Sequence, residues 1–447
     1  MAKQVTFLHG ADLHLGSLLK TVGYMSPMLQ KKINDAVYTA FRRMINAALR
    51  HKVDFVVLSG DIYDQTERSA GAKRFFITEV ERLIEAAIPV YIIYGNHDPL
   101  EEQIEFFKYP NNVHVLSADQ VDILEVTGRD ETMKARIIGQ SYSQPSEKRK
   151  MHNLYRPPDH DVVNIALLHT GLNPGYKNYV PCSADELKSI SDIDYWALGH
   201  IHKRQIINYQ DPVIAFPGIP QGRDMGELGL GGCLLVTAKL GNEAKLQFVP
   251  TSSIVWLAPE IPVKGDENSE DDLIDLMKET GEQILDGAYT ALEAAGLELA
   301  LNEKIEVDGY IVRWYFTGSG EIHNIVEKDD EIVPELVERI RQEFSSTRPF
   351  LWTDDIRFET SSPLVDLENI SEEDVILNTL LHIYKEFKDD SEVRKQVIER
   401  IGKSWYEQKD PEDIRDKAFA LDDENYRSLI EKALHMAAQR IMERREA

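Results

Sequence analysis

Five short stretches carry the residues that could do chemistry: Asp12-Leu13-His14, Gly60-Asp61, Gly95-Asn96-His97-Asp98, the single His169, and Gly199-His200-Ile201-His202. Taken singly, each has an ordinary explanation. Gly and Asp suit turns, a lone His is commonly a hydrogen-bonded core residue, and Asn closes Asx turns. Their setting is what they share. Each follows an apolar, β-rich run: Val5-Thr6-Phe7-Leu8, Phe55-Val56-Val57-Leu58, Val90-Tyr91-Ile92-Ile93, Ile165-Ala166-Leu167-Leu168 and Tyr195-Trp196-Ala197-Leu198. In α/β sheets ligands collect at the carboxyl ends of strands. Strand ends that deliver Asp, Asn and His to one rim are hard to explain by core packing.

Carboxylate and amide oxygens mixed with neutral imidazoles suit Mn, Fe or Zn better than Ca. The absence of Cys from the set argues against a structural zinc site, which favours thiolates. The candidate groups exceed what one tetrahedral ion needs, so two divalent ions sharing a bridging carboxylate are expected. Ions held about 3.5–4 Å apart can activate water and clamp a phosphate for in-line displacement. The chemistry expected is phosphoester hydrolysis.

In order, Asp-x-His, Gly-Asp, Gly-Asn-His-Asp, His and Gly-His-x-His resemble the calcineurin-like metallophosphoesterase superfamily. Within it the chain is most similar to the SbcD/Mre-type DNA-repair nucleases. The stretch Asp194 to Arg204 followed by Phe216-Pro217-Gly218 is especially similar to the bacterial YhaO-like branch. The resemblance in motifs covers residues 4 to about 220; beyond residue 255 it rests on layout. It implies Asp12, His14, Asp61 and His202 around one ion and Asp61, Asn96, His169 and His200 around the other, with manganese as the metal. It also implies that His97 is a general acid or transition-state stabiliser at the leaving oxygen, with Asp98 orienting its imidazole; a His suits that task because it titrates near working pH. Some family members carry a second His three residues after the bridging Asp. Here that position is Asp64, which leaves the balance of exo- and endonuclease action open.

Composition is that of a globular chain long enough for two or three domains, with 447 residues of which 43% are hydrophobic and 28% charged. No apolar run approaches the length of a membrane span, and the first residues enter a strand pattern without a signal sequence. Two cysteines, Cys182 and Cys233, fit a reducing compartment. A cytoplasmic protein without a membrane partner is expected. The net charge of −26 is uneven. Residues 1–255 hold 27 Lys and Arg against 29 Asp and Glu, and residues 256–447 hold 23 against 47. DNA binding needs cations that displace counterions. The near-neutral first part is therefore expected to bind DNA only weakly without help from bound metal or a partner.

The elements that must position these residues read as α/β. Apolar positions recurring every three or four residues predict a helix over 27–52 and another over 69–87, with strands at 54–59 and 90–94 between and after them. Short strands are expected over 113–139 and 205–249. With the four-layer αββα sandwich that the resemblance implies, the expected domains are 1–255 (nuclease), 256–365 (an α+β capping domain) and 366–447 (a C-terminal helical segment). The second is expected from helices over 271–295 and 333–345 and strands over 309–316 and 350–359, with His323 structural or on the surface. The third reads as helices over 371–389, 391–408, 411–419 and 422–445, with an apolar stripe including Ile376, Leu380, Ile383 and Phe387. By family analogy this segment clasps an SMC-like, SbcC-like coiled-coil ATPase, and the first two helices share a homodimer bundle. Two segments are candidates for DNA contact: 146–156, with Lys148, Arg149 and Lys150, and Arg223 in the loop after the last metal motif. The expected function is a two-metal nuclease cutting DNA ends or hairpins. A phosphatase, a cyclic-nucleotide phosphodiesterase and a non-catalytic acidic scaffold are its rivals.

Overall fold

A computed structural model describes residues 4–64, 70–100, 108–127, 133–294, 298–361, 374–389 and 392–397, with isolated helical positions between 400 and 444. The chain separates into two compact units. One comprises residues 1–260, 274–315 and 335–357, and the other 261–273, 316–334 and 358–447.

The first unit opens with β1 (Gln4–Gly10), α1 (Pro27–Asn34), α2 (Ala36–His51), β2 (Phe55–Ser59), α3 (Ala70–Glu81), β3 (Val90–Ile93) and β4 (Val113–Val115). It continues through β5 (Asp122–Thr127), β6 (Met133–Gly139), β7 (Val163–His169), α4 (Ala184–Lys188), β8 (Tyr195–Gly199), β9 (Gln205–Asn208), β10 (Val213–Phe216), β11 (Gly232–Lys239) and β12 (Asn242–Pro250). These strands form two six-stranded sheets, ordered β12-β11-β1-β2-β3-β4 and β5-β6-β7-β8-β10-β9. Side-chain alternation explains why the strands read as unbroken apolar runs: both faces are buried. Phe7, Phe55, Val57, Tyr91, Ile165, Leu167, Tyr195 and Ala197 meet between the sheets. Leu8, Val56, Leu58 and Ile92 point outward onto Phe41, Met44, Ile45 and Phe76 of α2 and α3. Ala166, Leu168, Trp196 and Leu198 cover the outer face of the second sheet with Tyr155 and Leu187. The result is the expected αββα layering.

Register fixes where the motifs end up. β1, β2 and β3 run parallel, with Phe7 opposite Phe55 and Val56 opposite Val90. β7 and β8 run parallel, with Ile165 opposite Tyr195 and His169 opposite Gly199. All five motifs therefore leave carboxyl ends of strands.

Three helices differ from expectation, one being 271–295, which Asp286 and Gly287 (φ 82°) part into helices at Glu270–Leu285 and Ala288–Ala294. The span 27–52 is broken at Asp35 into α1 and α2; Asn34 and Asp35 are residues whose side chains compete with helical backbone bonds. The helix expected over 69–87 is regular only to Glu81. Arg82, Leu83 and Ile84 then donate to carbonyls three residues back, tightening the chain towards Ala87, whose φ is 54°, ahead of Pro89.

Beyond β12 come β13 (Ile254–Leu257), β14 (Glu260–Val263), α5 (Glu270–Leu285), α6 (Ala288–Ala294), β15 (Gly309–Ser319), α7 (Glu321–Lys328), α8 (Ile332–Glu343), β16 (Phe350–Ser361) and α9 (Val375–Asp389). In the first unit β13 pairs parallel to β15 from Ile254 opposite Gly309 to Leu257 opposite Val312. In the second, Phe316 stacks on Phe358 at 5.0 Å, the imidazole Nδ1 of His323 lies 3.1 Å from Thr360 Oγ1, and the Tyr426 hydroxyl donates to the Phe387 carbonyl at 2.8 Å. The expected helix over 411–419 and most of that over 391–408 lie outside the described residues.

Candidate metal centre

The turns after the strands are unusual backbone. Asp12, His14, Asp61 and His200 have φ of 54°, 43°, 51° and 101°. Non-glycine residues seldom adopt such values, and where they do the surroundings hold them there. Gly60 (φ 95°) and Gly199 leave no room for a side chain. A Cβ at Gly60 would strike the His169 ring, and one at Gly199 would strike the Ser59 carbonyl. Their absence lets the two sheets bring their rims together.

Asp12, His14 and His202 place one ligand atom each within 4.8 Å of one another, and so do Asp12, Asp61 and His169. Asp12, His14, Asp61 and His169 are almost wholly buried. Asp12 accepts from the His200 backbone amide through both oxygens at 3.1 Å. Asp61 Oδ1 accepts from the His97 amide at 2.9 Å, while its Oδ2 lies 3.5 Å from His169 Nε2 and 3.9 Å from His14 Nε2. Asn96 Oδ1 lies 3.0 Å from His169 Nε2 and 3.1 Å from His200 Nδ1. All seven expected ligands thus meet on one rim, with Asp12 common to the two groups and Asp61 Oδ2 between His169 and His14.

The tautomers say what this cluster lacks. His169 Nδ1 sits 2.9 Å from the Ser59 carbonyl; a carbonyl only accepts, so Nδ1 carries the proton and Nε2 turns its lone pair to the oxygens of Asp61 and Asn96. His202 Nδ1 donates to Glu227 Oε1 at 2.6 Å, leaving Nε2 to face His14 Nε2 at 3.2 Å. If His14 Nε2 supplied the proton there, its buried Nδ1, which has no hydrogen-bond partner, would be a stranded acceptor. Lone pairs face lone pairs. A proton can relieve one such pair at a time, whereas one divalent ion serves three donors together, so the residues fit a metal centre.

Electrostatics agree. Burial and the neighbouring Asp61 push the Asp12 carboxyl up to about 6, against the pull of His202 and His169. Burial and nearby positive groups, Arg223 first, hold His14 well below the usual imidazole value. Burial and His169 hold His200 down at about 3, despite Asp61. These two imidazoles are neutral at working pH, the form a metal needs. His202 behaves differently: burial opposes its charge, but the Glu227 hydrogen bond and Asp12 outweigh that and raise its pKa.

His97 stands beside the cluster, its ring 4.8 Å from that of His14 and nearly perpendicular to it. Asp98 is fully buried and accepts from the backbone amides of Ile62 (2.7 Å), Tyr63 (3.1 Å) and Gly95 (2.9 Å). These bonds make it the staple between the Asp61 turn and the Asn96 turn. Burial and Asp61 raise its pKa to about 7, against those amide bonds.

Of the cations expected to face DNA, Lys148 is exposed. Arg149 pairs with Glu147 and the Ala118 carbonyl, and Lys150 with Glu186 at 2.7 Å. Arg223 is held by Glu227 at 2.9 Å and Asp64 at 3.4 Å. Sequence reasoning missed Glu227, Ser59, and Tyr179, whose ring lies 4.6 Å from that of His200. Glu227 lies 25 residues beyond His202 in a Gly-rich loop, and only the fold brings it back.

Residues 5–204 match the calcineurin-like phosphoesterase family. The chain is 34% identical over 270 residues to a Bacillus subtilis protein named uncharacterized metallophosphoesterase YhaO, a match covering 60% of this chain and 65% of the relative. It is 30% identical over 220 residues to the DNA double-strand break repair protein Mre11 of Methanocaldococcus jannaschii, covering 47% of this chain and 55% of that one. A protein of the same name from Sulfurisphaera tokodaii is 25% identical over 277 residues, covering 57% and 67%. The chain therefore spans less than two thirds of the first two relatives. Among the described residues no helix is long and apolar enough to cross a membrane.

Proposed function

We propose that the calcineurin-like metallophosphoesterase region at residues 5–204 is a DNA-cleaving phosphodiesterase that works with two divalent ions, manganese first among them. The observation that carries the reading is the convergence of imidazole lone pairs and carboxylate oxygens on one rim, where Asp12 belongs to two groups of three and Asp61 Oδ2 lies within 3.9 Å of both His169 and His14. In this reading Asp12, His14, Asp61 and His202 hold one ion, and Asp61, Asn96, His169 and His200 the other. When bound, such a pair supplies a nucleophile at neutral pH and charge stabilisation for an in-line displacement. The chain's own groups do the rest. His97, beside the cluster but outside both ligand sets, gives a proton to the departing sugar oxygen. Asp98 keeps the Asp61 and Asn96 turns in register through its amide bonds. Lys148 is exposed, and Arg149, Lys150 and Arg223 would have to exchange carboxylates for phosphates to join it in facing DNA.

DNA as substrate, rather than a small phosphomonoester, is favoured by the resemblance to the Mre11 relatives. The same analogy assigns 256–365 to a cap, 366–447 to an SMC-like ATPase partner, and α1 to α3 to a homodimer.

The test compares purified protein and His97→Ala on linear duplex DNA and on p-nitrophenyl phosphate across a metal series. The expected result is manganese-dependent DNA cleavage that falls by about 10²–10⁴-fold in the variant with metal binding retained. Intact DNA alongside rapid phosphomonoester turnover would move the assignment to a phosphatase. Equal cleavage by variant and parent would take His97 out of the reaction.

A further inference from the structure

We infer that Glu227, Arg223 and Asp64 form a charged brace behind one half of the centre, so that the ion held by Asp12, His14 and His202 binds more tightly than the ion beside His169. The inference rests on the two-ion reading above.

Behind His202 lies a carboxylate: Nδ1 donates to Glu227 Oε1 at 2.6 Å. Glu227 is in turn fixed by Arg223, through the backbone amide to Oε2 at 2.7 Å and the guanidinium Nη2 to Oε1 at 2.9 Å. Arg223 reaches on to Asp64, with Nη1 3.4 Å from Oδ2. That same Oδ2 accepts from the Ser17 hydroxyl at 2.6 Å and stands 3.8 Å from His14 Nδ1. His202 therefore has a hydrogen-bonded carboxylate at its back, His14 has one 3.8 Å away that makes no hydrogen bond to it, and one guanidinium joins the two carboxylates.

The other half is built differently. His169 Nδ1 donates to a neutral peptide carbonyl, that of Ser59. An imidazole whose outer N–H meets a carboxylate is a stronger metal donor and is held more rigidly than one backed by a carbonyl. Arg223 keeps the brace from adding two uncompensated negative charges next to Asp12. Its side chain and those of Asp64 and Glu227 are 16%, 15% and 11% exposed, so solvent screens these contacts little. The position where some family members place a second His thus carries, in this chain, a brace carboxylate.

The experiment titrates the metal-free full chain with Mn²⁺, reading free ion by electron paramagnetic resonance. The parent should show a tight and a weaker binding step. In Glu227→Gln the tight step should weaken by about 10–100-fold, the usual cost of losing an outer partner, and the weaker step should stay in place. His169→Ala should remove the weaker step instead. Melting of the metal-free proteins controls for folding, and Asp64→Asn reads the same tight step should Glu227→Gln not fold. The brace is refuted if Glu227→Gln or Asp64→Asn leaves both steps as in the parent or weakens both equally. A parent that binds no Mn²⁺ would overturn the two-ion reading itself.

Discussion

The strands of the central sheets end in Asp and His at both rims, and the two rims behave in opposite ways. At the amino-terminal rim of β7 and β8, Asp194 accepts from the Asn164 amide at 2.7 Å and meets His160 Nε2 at 2.9 Å. Arg136 pairs there with Asp159 and Asp161 at 2.7 and 2.8 Å. Each of these carboxylates has a donor or a cation, and His160 is a third exposed. At the carboxyl rim the imidazoles face oxygens and one another, with His14 and His169 buried and His14 and His200 on backbone bent to positive φ. Residue type does not distinguish the rims. What distinguishes them is whether the polar groups satisfy each other, and where they do not, something else must enter.

The sharpest way to break this contrast is to remove the group that joins both halves of the carboxyl rim. Asp61→Asn should cost far more than the roughly 10–100-fold typical of an outer partner, in metal uptake and in turnover alike. Retention of two bound ions, measured by elemental analysis after gel filtration, would contradict it.

A smaller effect is expected just beneath the rim. His9, fully buried, lies 2.9 Å from the Tyr195 hydroxyl and 3.1 Å from the Leu198 carbonyl, crossing from one sheet to the other. Ser59 Oγ donates to the Ala197 carbonyl beside it. This pair is a polar bridge within an otherwise apolar interface, and ligands depend on both sheets. His9→Leu should destabilise the protein by about 1–3 kcal/mol, the cost of stranding buried polar partners. Burial holds His9 neutral down to about 3, despite its bond to Leu198, against about 6.5 for an unfolded His. Its contribution is complete above pH 6.5 and is lost as the pH falls towards 3, because the unfolded chain takes up the proton first. Urea midpoints across that window should fall less steeply in His9→Leu than in the parent.

The least effect belongs to the satisfied rim. Asp194 outweighs burial and, with Asp192 and Asp211, raises the pKa of His160. Its ion pair therefore stabilises the protein below about pH 6.5 and fades as the pH rises through the raised value. His160→Ala should lower stability at pH 6 by less than about 1 kcal/mol and leave metal uptake unchanged. A loss of metal in this variant would erase the distinction between the rims.

The carboxyl rim was legible in the sequence because each ligand directly follows its strand, so local pattern and chemistry coincide. The four-layer arrangement came from the family resemblance; apolar runs such as Tyr195-Trp196-Ala197-Leu198, which fill both faces, announced only buried strands. What escaped depends on non-local geometry. Glu227 reaches His202 only because β11 returns antiparallel beside β1, and Ser59 acts through a backbone carbonyl, which no residue type announces. The break at Asp35 and the early end of α3 are local, but periodicity alone does not mark them, since apolar spacing continues across both.

The order in which the rim is assembled has a consequence for synthesis. Asp12 accepts from the amide of a residue 188 positions later, and the group of Asp12, His14 and His202 joins side chains from both ends of that interval. A ribosome-bound chain halted before residue 200 would own Asp12, His14, Asp61, Asn96 and His169 but neither His200 nor His202. The full set of side chains on this rim is therefore complete only once β8 and the turn after it have been made.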